Sequence, residues 1–147
     1  MKILICGSRT IHDYDLLLEA ISKAAERKIV PTSVISGGAP GVDRLAERFA
    51  AERNLPCEVI RPDWSKGKSA GYERNALMVS KAEAVIAVWD GRSRGTIHTI
   101  RLAQRNGLPV AIKQVVDTKA REAAIIDAMR EIGDERCEWG DLDGGDR

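Results

Sequence analysis

Ala84-Val85-Ile86-Ala87-Val88-Trp89 runs without a break into Asp90-Gly91-Arg92-Ser93-Arg94-Gly95-Thr96. The first six residues are apolar throughout rather than alternating. A strand of that kind is buried on both faces, as in the parallel sheets of α/β proteins. The glycine-bearing turn behind it opens an amphipathic stretch over 95–106, so the chain passes from the strand's carboxyl end directly into a helix. A sheet buried on both faces needs helices on both sides.

The same unit recurs along the chain. Residues 2–6 form a first strand, ended by Gly7-Ser8-Arg9. Tyr14, Leu17, Leu18, Ile21, Ala24 and Ala25 then fall at helical spacing, with Asp13 as the cap. A short second strand over 33–36 runs into Ser36-Gly37-Gly38-Ala39-Pro40-Gly41-Val42-Asp43, and Val42, Leu45, Ala46, Phe49 and Ala50 mark the apolar stripe of the next helix. Residues 57–61 read as a third strand, 62–71 as an irregular loop rich in Lys and Gly, 72–81 as a helix, 108–113 as a fifth strand and 118–132 as a last helix. The pattern predicts a Rossmann-like three-layer α/β sandwich around a mostly parallel five-stranded sheet, one domain over 1–133. Residues 134–147 are acidic and glycine-rich, with six acids against two arginines, and are expected to be a partly disordered tail. The last helix carries Ala123, Ile126, Met129 and Ile132 on one side, a face that completes the fold or pairs with a second copy of the chain.

Composition narrows the function classes. At 147 residues, with 44% hydrophobic and 31% charged residues, the chain has the make-up of an ordinary soluble domain. No apolar run approaches the roughly 20 residues that span a bilayer, and the opening Met1-Lys2-Ile3-Leu4-Ile5-Cys6 stops at Gly7, as a first strand does and a signal peptide does not. Cys6, Cys57 and Cys137 are odd in number, scattered and without metal-ligand spacing, which fits a reduced cytoplasmic setting. His12 has no partner cluster. Neither a metal nor a cofactor is expected. The net charge of +1 is far from the basic stripe of a dedicated duplex-DNA binder.

Six of the thirteen glycines lie in the three strand-end loops, all expected on one edge of the sheet. Glycine lets backbone N–H groups approach an anion, and the helix N-terminus that follows contributes about half a positive charge. Phosphate is the guest this arrangement suits. Two familiar phosphate loops fail. Pro62-Asp63-Trp64-Ser65-Lys66-Gly67-Lys68-Ser69 imitates a P-loop, but that pattern requires glycine where Pro62 stands, and proline has no N–H to give. The dinucleotide fingerprint GxGxxG meets Arg9 after Gly7 and Ala39 after Gly37 at its third position.

The motifs Gly7-Ser8-Arg9, Ser36 to Asp43 with Leu45-Ala46-Glu47 behind it, Arg74-Asn75 with Met78, and Ser93-Arg94-Gly95-Thr96 resemble the YspA-like branch of the SLOG superfamily over residues 1–113. The resemblance implies a Rossmann-like fold shared with the LOG phosphoribohydrolases, the DNA-processing protein DprA and the YpsA proteins. It also implies a nucleotide or nucleotide-derived ligand, and a setting in phages or other mobile elements. LOG hydrolases carry an arginine on the helix before the fourth strand, where Arg74 stands here, and a PGGxGTxxE loop whose acid is thought to assist N-glycosidic cleavage. Aligned on Gly95-Thr96, that acid falls at Ile97, His98 or Thr99, and none is a carboxylate.

An oxocarbenium-like transition state is stabilised by a carboxylate and not by an imidazole. The catalytic residues are therefore unknown, with Arg74, His98 and Asp43 as candidates; His98 is suited to protonating a leaving base, and Asp43 equally caps the second helix. The expected ligand contacts are Gly7, Ser8 and Arg9 from the first loop, and Gly37, Gly38, Ala39, Gly41 and Asp43 from the second. Arg74 and Asn75 follow a turn at Gly71, and Asp90, Ser93, Arg94, Gly95 and Thr96 come from the fourth strand's loop. Trp64 in its loop and Trp89 at a strand end are both placed to stack on a base, with core packing the better-suited role for Trp89. Sensing or sequestration of a nucleotide-like small molecule ranks first, LOG-type hydrolysis second and DprA-like single-strand binding third. The 4% aromatic content and near-neutral charge count against nucleic acid as a partner.

Overall fold

The computed structural model describes residues 1–115 and position 126. The last helix expected over 118–132, apart from Ile126, and the acidic tail over 134–147 lie outside the described residues, as does Cys137.

The elements follow in the order β1 (Lys2–Gly7), α1 (Tyr14–Glu26), β2 (Ser33–Ser36), α2 (Val42–Glu52), β3 (Cys57–Val59), a 3-10 turn (Trp64–Lys66), α3 (Ala70–Lys81), β4 (Ala84–Trp89), α4 (Arg94–Arg105) and β5 (Val110–Gln114). The five strands form one sheet in the order β3-β2-β1-β4-β5, and every pairing is parallel. Alternate side chains of the central strands feed two separate cores. Ile3, Ile5, Ala84, Ile86 and Val88 pack with Leu17, Ala24, Ala46 and Phe49 of α1 and α2. Leu4, Cys6, Val85 and Ala87 pack with Met78, Val79, Ile100 and Ala103 of α3 and α4. The apolar run 84–88 is thus fully buried because it serves both cores.

Three boundaries are displaced by two residues from the sequence reading. β3 stops at Val59 rather than at position 61: among the described residues it is an edge strand whose one partner, β2, ends at Ser36, and the last rung is Ile60 N–H donating to the Ser36 carbonyl. α3 starts at Ala70, so Gly71 lies inside its first turn instead of forming a turn before it; burial of Ala70 holds that turn down. β5 starts after Pro109, because Leu108 N–H is taken by the Ala103 carbonyl at the end of α4. No helix among the described residues is long and apolar enough to cross a membrane.

Candidate functional site

The strand order reverses direction at β1: β2 lies on one side of it and β4 on the other. The helices that follow β1 and β4 go to opposite faces of the sheet, so the chain parts at their carboxyl ends and leaves a crevice, the usual ligand position in open α/β sheets.

The first loop is knotted into place. Ser8 is buried; its N–H donates to the Val88 carbonyl at 3.1 Å, and its Oγ accepts from Asp90 N–H at 2.9 Å. Its carbonyl accepts from Val42 N–H at 3.3 Å and from Ile11 N–H at 3.4 Å. Gly41 precedes α2 with φ of 81°, and a Cβ there would stand 2.4 Å from the Ser8 carbonyl, so only glycine fits this crossing.

The second loop is tied down as thoroughly. Ser36 Oγ accepts from Gly38 N–H at 3.1 Å and donates to Glu47 Oε2 at 2.9 Å. Ala39 N–H donates to Asp43 Oδ2 at 3.1 Å. Two amides that the sequence offered to an anion are therefore engaged within the protein. Asp43 folds back onto the loop instead of capping α2, whose N-cap is Gly41 and has no side-chain hydrogen bond. The loop carbonyls are held by arginines: Arg61 Nη1 reaches Gly38 O at 3.1 Å, and Arg74 Nη1 reaches Gly37 O at 2.6 Å and Ile60 O at 3.4 Å. Arg74 Nε also donates to Asn75 Oδ1 at 3.0 Å.

On the far wall, Ser93 caps α4 by accepting from Thr96 N–H at 3.4 Å. The Asp90 carboxylate turns into its own loop and accepts from Arg92 N–H at 2.8 Å and Ser93 N–H at 2.9 Å. Burial opposes its ionisation, but those N–H groups outweigh it and hold the carboxyl below the ordinary range. The first turn of α4 contains no acid. Gly95 lines the crevice there, and a Cβ added to it would meet nothing within 4 Å.

The crevice proper holds about 160 Å³ between Gly7, Arg9, Ala39, Asp43, Arg74, Asn75, Ser93, Gly95 and Thr96, with Cys6, Met78 and Thr99 at its base. It opens into a space of about 250 Å³ lined by Trp64, Lys68, Gly71 and Tyr72, and into another of about 370 Å³ lined by Gly37, Gly38, Arg61 and Pro62. Arg9 and Arg74 line all three. Of the residues singled out in the sequence, Ser8 and Gly41 stand behind the wall as ties, Asp90 faces its own loop, and Arg94 and His98 line a separate groove between α3 and α4. Arg61, Lys68, Tyr72 and Thr99 also line the crevice or the spaces beside it and are not among the contacts expected from sequence. Arg61 was hidden by its placement in a strand that ends before it, and the alternation of Lys and Gly in 62–71 was the only signal for Lys68.

Charges in the crevice are coupled. Burial raises the Asp43 carboxyl to about 6, with the Ala39 N–H and the Arg74 guanidinium acting against that rise. Burial likewise lowers the proton affinity of Arg74. It pushes the Cys6 thiol far up, reinforced by Asp43, which disfavours the thiolate. His98 is lowered by burial and then by Arg105.

The Asp43 shift has a consequence for stability. With a folded value of about 6 above the ordinary 3.8, the fold prefers the protonated carboxyl. The associated stability is fully present below about pH 4 and is lost as pH rises through about 6. Asp43→Asn is expected to flatten that descent in thermal unfolding compared between pH 4 and pH 7; an equally steep fall in the variant would rule Asp43 out as its source.

The chain is similar to known proteins at three levels. The sequence profile described as "YspA, cpYpsA-related SLOG family" matches residues 1–67. Gene 61 protein of Mycobacterium phage D29 is 38% identical over 116 residues, which cover 74% of this chain and 93% of that protein; a phage relative accords with the mobile-element setting implied above. DNA processing protein A from Helicobacter pylori, described as having a unique single-stranded DNA binding mode, superposes with a TM-score of 0.57 at 20% identity. The match covers 76% of this chain and 64% of that one, so the chain spans less than two thirds of that protein's length. This last likeness is one of fold. It also corrects the expectation that set nucleic acid aside as a partner, because a protein built on this fold is described as binding single-stranded DNA. The physical reason is that averages over a whole chain conceal local grouping: Arg9, Lys68, Arg74, Trp64 and Tyr72 line one space.

Proposed function

Because the chain belongs to the YspA, cpYpsA-related SLOG family, we propose that its crevice binds a nucleotide or nucleotide-derived phosphorylated ligand, for sensing or sequestration. One observation carries the reading: Arg9 and Arg74 face a helix start that has no acid and leaves open space at Gly95. A cationic fork opposite a helix N-terminus is suited to a phosphate. In this reading Arg74 spends Nη1 and Nε on the protein and gives Nη2 to the ligand, Arg9 adds a second charge, and Asn75, Ser93 and Thr96 supply polar contacts. Gly7, Gly37, Gly38 and Ala39 shape the wall, and Ser8, Gly41 and Asp90 hold it. A reduced cytoplasmic setting belongs to the same proposal, in keeping with a free, exposed Cys57.

A second reading, hydrolysis of an N-glycoside, draws on the Asp43 carboxyl, which lines the crevice and is held near 6. In that reading Asp43 takes the place of the acid missing after Gly95-Thr96.

Both are tested by incubating the protein with nucleoside 5′-monophosphates and the matching nucleosides, following melting temperature and released base together. The binder predicts stabilisation by RT ln(1 + [L]/Kd), about 2.7 kcal/mol at a hundredfold excess over Kd, from the phosphorylated members alone and with no base released. Release of free base moves the assignment to the hydrolase. Equal stabilisation by the nucleosides removes the phosphate from the argument.

A further inference from the structure

The groove between α3 and α4 is lined by Tyr72, Arg94, His98, Arg101 and Arg105, with Ile97 and Leu102 at its base, and holds about 400 Å³. Two features of this arrangement work against the helix that carries it. Arg94 sits in the first turn of α4, where the helix dipole disfavours a cation, and Arg101 and Arg105 are like charges four residues apart on one face. α4 has no acidic residue to balance them. The ion pairs among the described residues use Lys2, Arg48, Lys81 and Lys113 instead. Arg105 gains from its place in the last turn, but nothing in these described contacts repays Arg94 in the first turn or the like-charged pair of Arg101 with Arg105, and an anion in the groove would.

The groove adjoins the crevice through two residues. Tyr72 lines both this groove and the space beside Arg9 and Arg74. Asn75, which lines the crevice, has its Nδ2 3.2 Å from His98 Nδ1. The Tyr72 ring stands 4.4 Å from the His98 ring at 59°. Trp64 lines the space on the near side of Tyr72 and lies over Gly71, where a Cβ would be 3.4 Å from Trp64 Cη2. Trp64 is 59% exposed and Tyr72 51% exposed, each a large ring left to solvent beside a cationic cleft. Aromatic faces flanked by basic side chains are the means by which proteins hold unpaired bases.

We propose that the α3–α4 groove holds a second phosphate of the ligand, with the intervening base against Trp64 and Tyr72, so that the ligand is a nucleotide chain bearing at least two phosphates. The inference rests on the reading that the crevice takes the first phosphate. The chemistry is shared by a free dinucleotide and by the end of a single strand.

Direct binding is measured for nucleoside 5′-monophosphates of the four bases, the corresponding 5′-phosphorylated dinucleotides, and ten-residue single strands. The proposal expects dinucleotides to bind at least about tenfold more tightly than monophosphates. Arg101→Ala/Arg105→Ala, two exposed positions, should remove about that tenfold gain while leaving the monophosphate affinity within about twofold. Trp64→Ala should weaken every ligand that carries a base and leave inorganic pyrophosphate unchanged. A dinucleotide that binds no better than a monophosphate overturns the proposal and leaves the mononucleotide reading standing; absence of binding by all three classes overturns both. If ten-residue strands bind more tightly than dinucleotides, with a steeper salt dependence, the source is a nucleic-acid end. Equal affinity identifies a dinucleotide.

Discussion

Gly7→Ala is expected to cost more than about 3 kcal/mol of folding stability, read as a fall in the urea midpoint at unchanged slope. A Cβ at position 7 would stand 2.1 Å from the Val88 carbonyl oxygen and 2.6 Å from Val42 Cγ2. Neither neighbour can yield cheaply. Val88 is the residue paired with Gly7 across β1 and β4, and Val42 is fully buried in the first turn of α2. Relief requires the ends of two central strands to part, which also breaks the Ser8 N–H to Val88 bond. Gly95→Ala is the matched control. Its Cβ meets nothing, and alanine is the better helix former by up to about 1 kcal/mol, so stability should hold or rise while ligand affinity falls through lost space in the crevice. A Gly7→Ala protein within about 1 kcal/mol of the parent would show that the loop does not approach β4 as closely as described.

Arg74→Ala is expected to lower ligand affinity about a hundredfold, or about 2.7 kcal/mol, and to lower stability by about 1.5–3 kcal/mol. The two losses have separate origins. Affinity falls because the guanidinium facing the open end of α4 is gone. Stability falls because the Gly37 and Ile60 carbonyls lose their donor and the buried Asp43 carboxyl loses the cation that favours its charge. Arg74→Lys separates them: an ammonium can return part of the charge near Asp43 but not the fork that reaches the loop carbonyl and a ligand at once. Lysine should recover stability more than affinity. Calorimetry on the ligand and urea unfolding on the protein give the two numbers, and a lysine variant with full affinity would reduce the role of Arg74 to that of a point charge.

The central part of this fold was legible because burial on both faces leaves an unmistakable mark. Runs such as Ala84 to Val88 have no polar phase, and the glycine loops behind them mark the edge where the crevice opens. The edge strand was read too long because Ile60 continues its apolar pattern, although its N–H takes the last rung at Ser36 and β2 offers nothing beyond. The role of Asp43 was half legible. Its position in the first turn suggested a cap, and only the path of the loop over Gly38 and Ala39 shows that it turns back to Ala39 N–H. Those glycine-loop amides illustrate the general limit: residue type reveals that a backbone can approach something closely, while the partner it approaches is decided by side chains distant in sequence, here Ser36 and Asp43. Lys68 and Tyr72 join the site because the 3-10 turn brings a segment that resembled an unstructured loop back over α3. His98 has the chemistry to protonate a leaving base, but its helical phase places it in the next groove.

Ser8 ties three parts of the chain with one residue: the end of β4, the loop after it and the start of α2. Its consequence is thermodynamic timing. The configurational entropy of the binding loops is surrendered when the sheet forms, before any ligand arrives, so association meets walls already in position. Ligand capture should then proceed without a slow unimolecular phase, with observed rates rising linearly in ligand concentration. Ser8→Ala, by freeing the Asp90 amide, is the change that would move that ordering step from folding into binding.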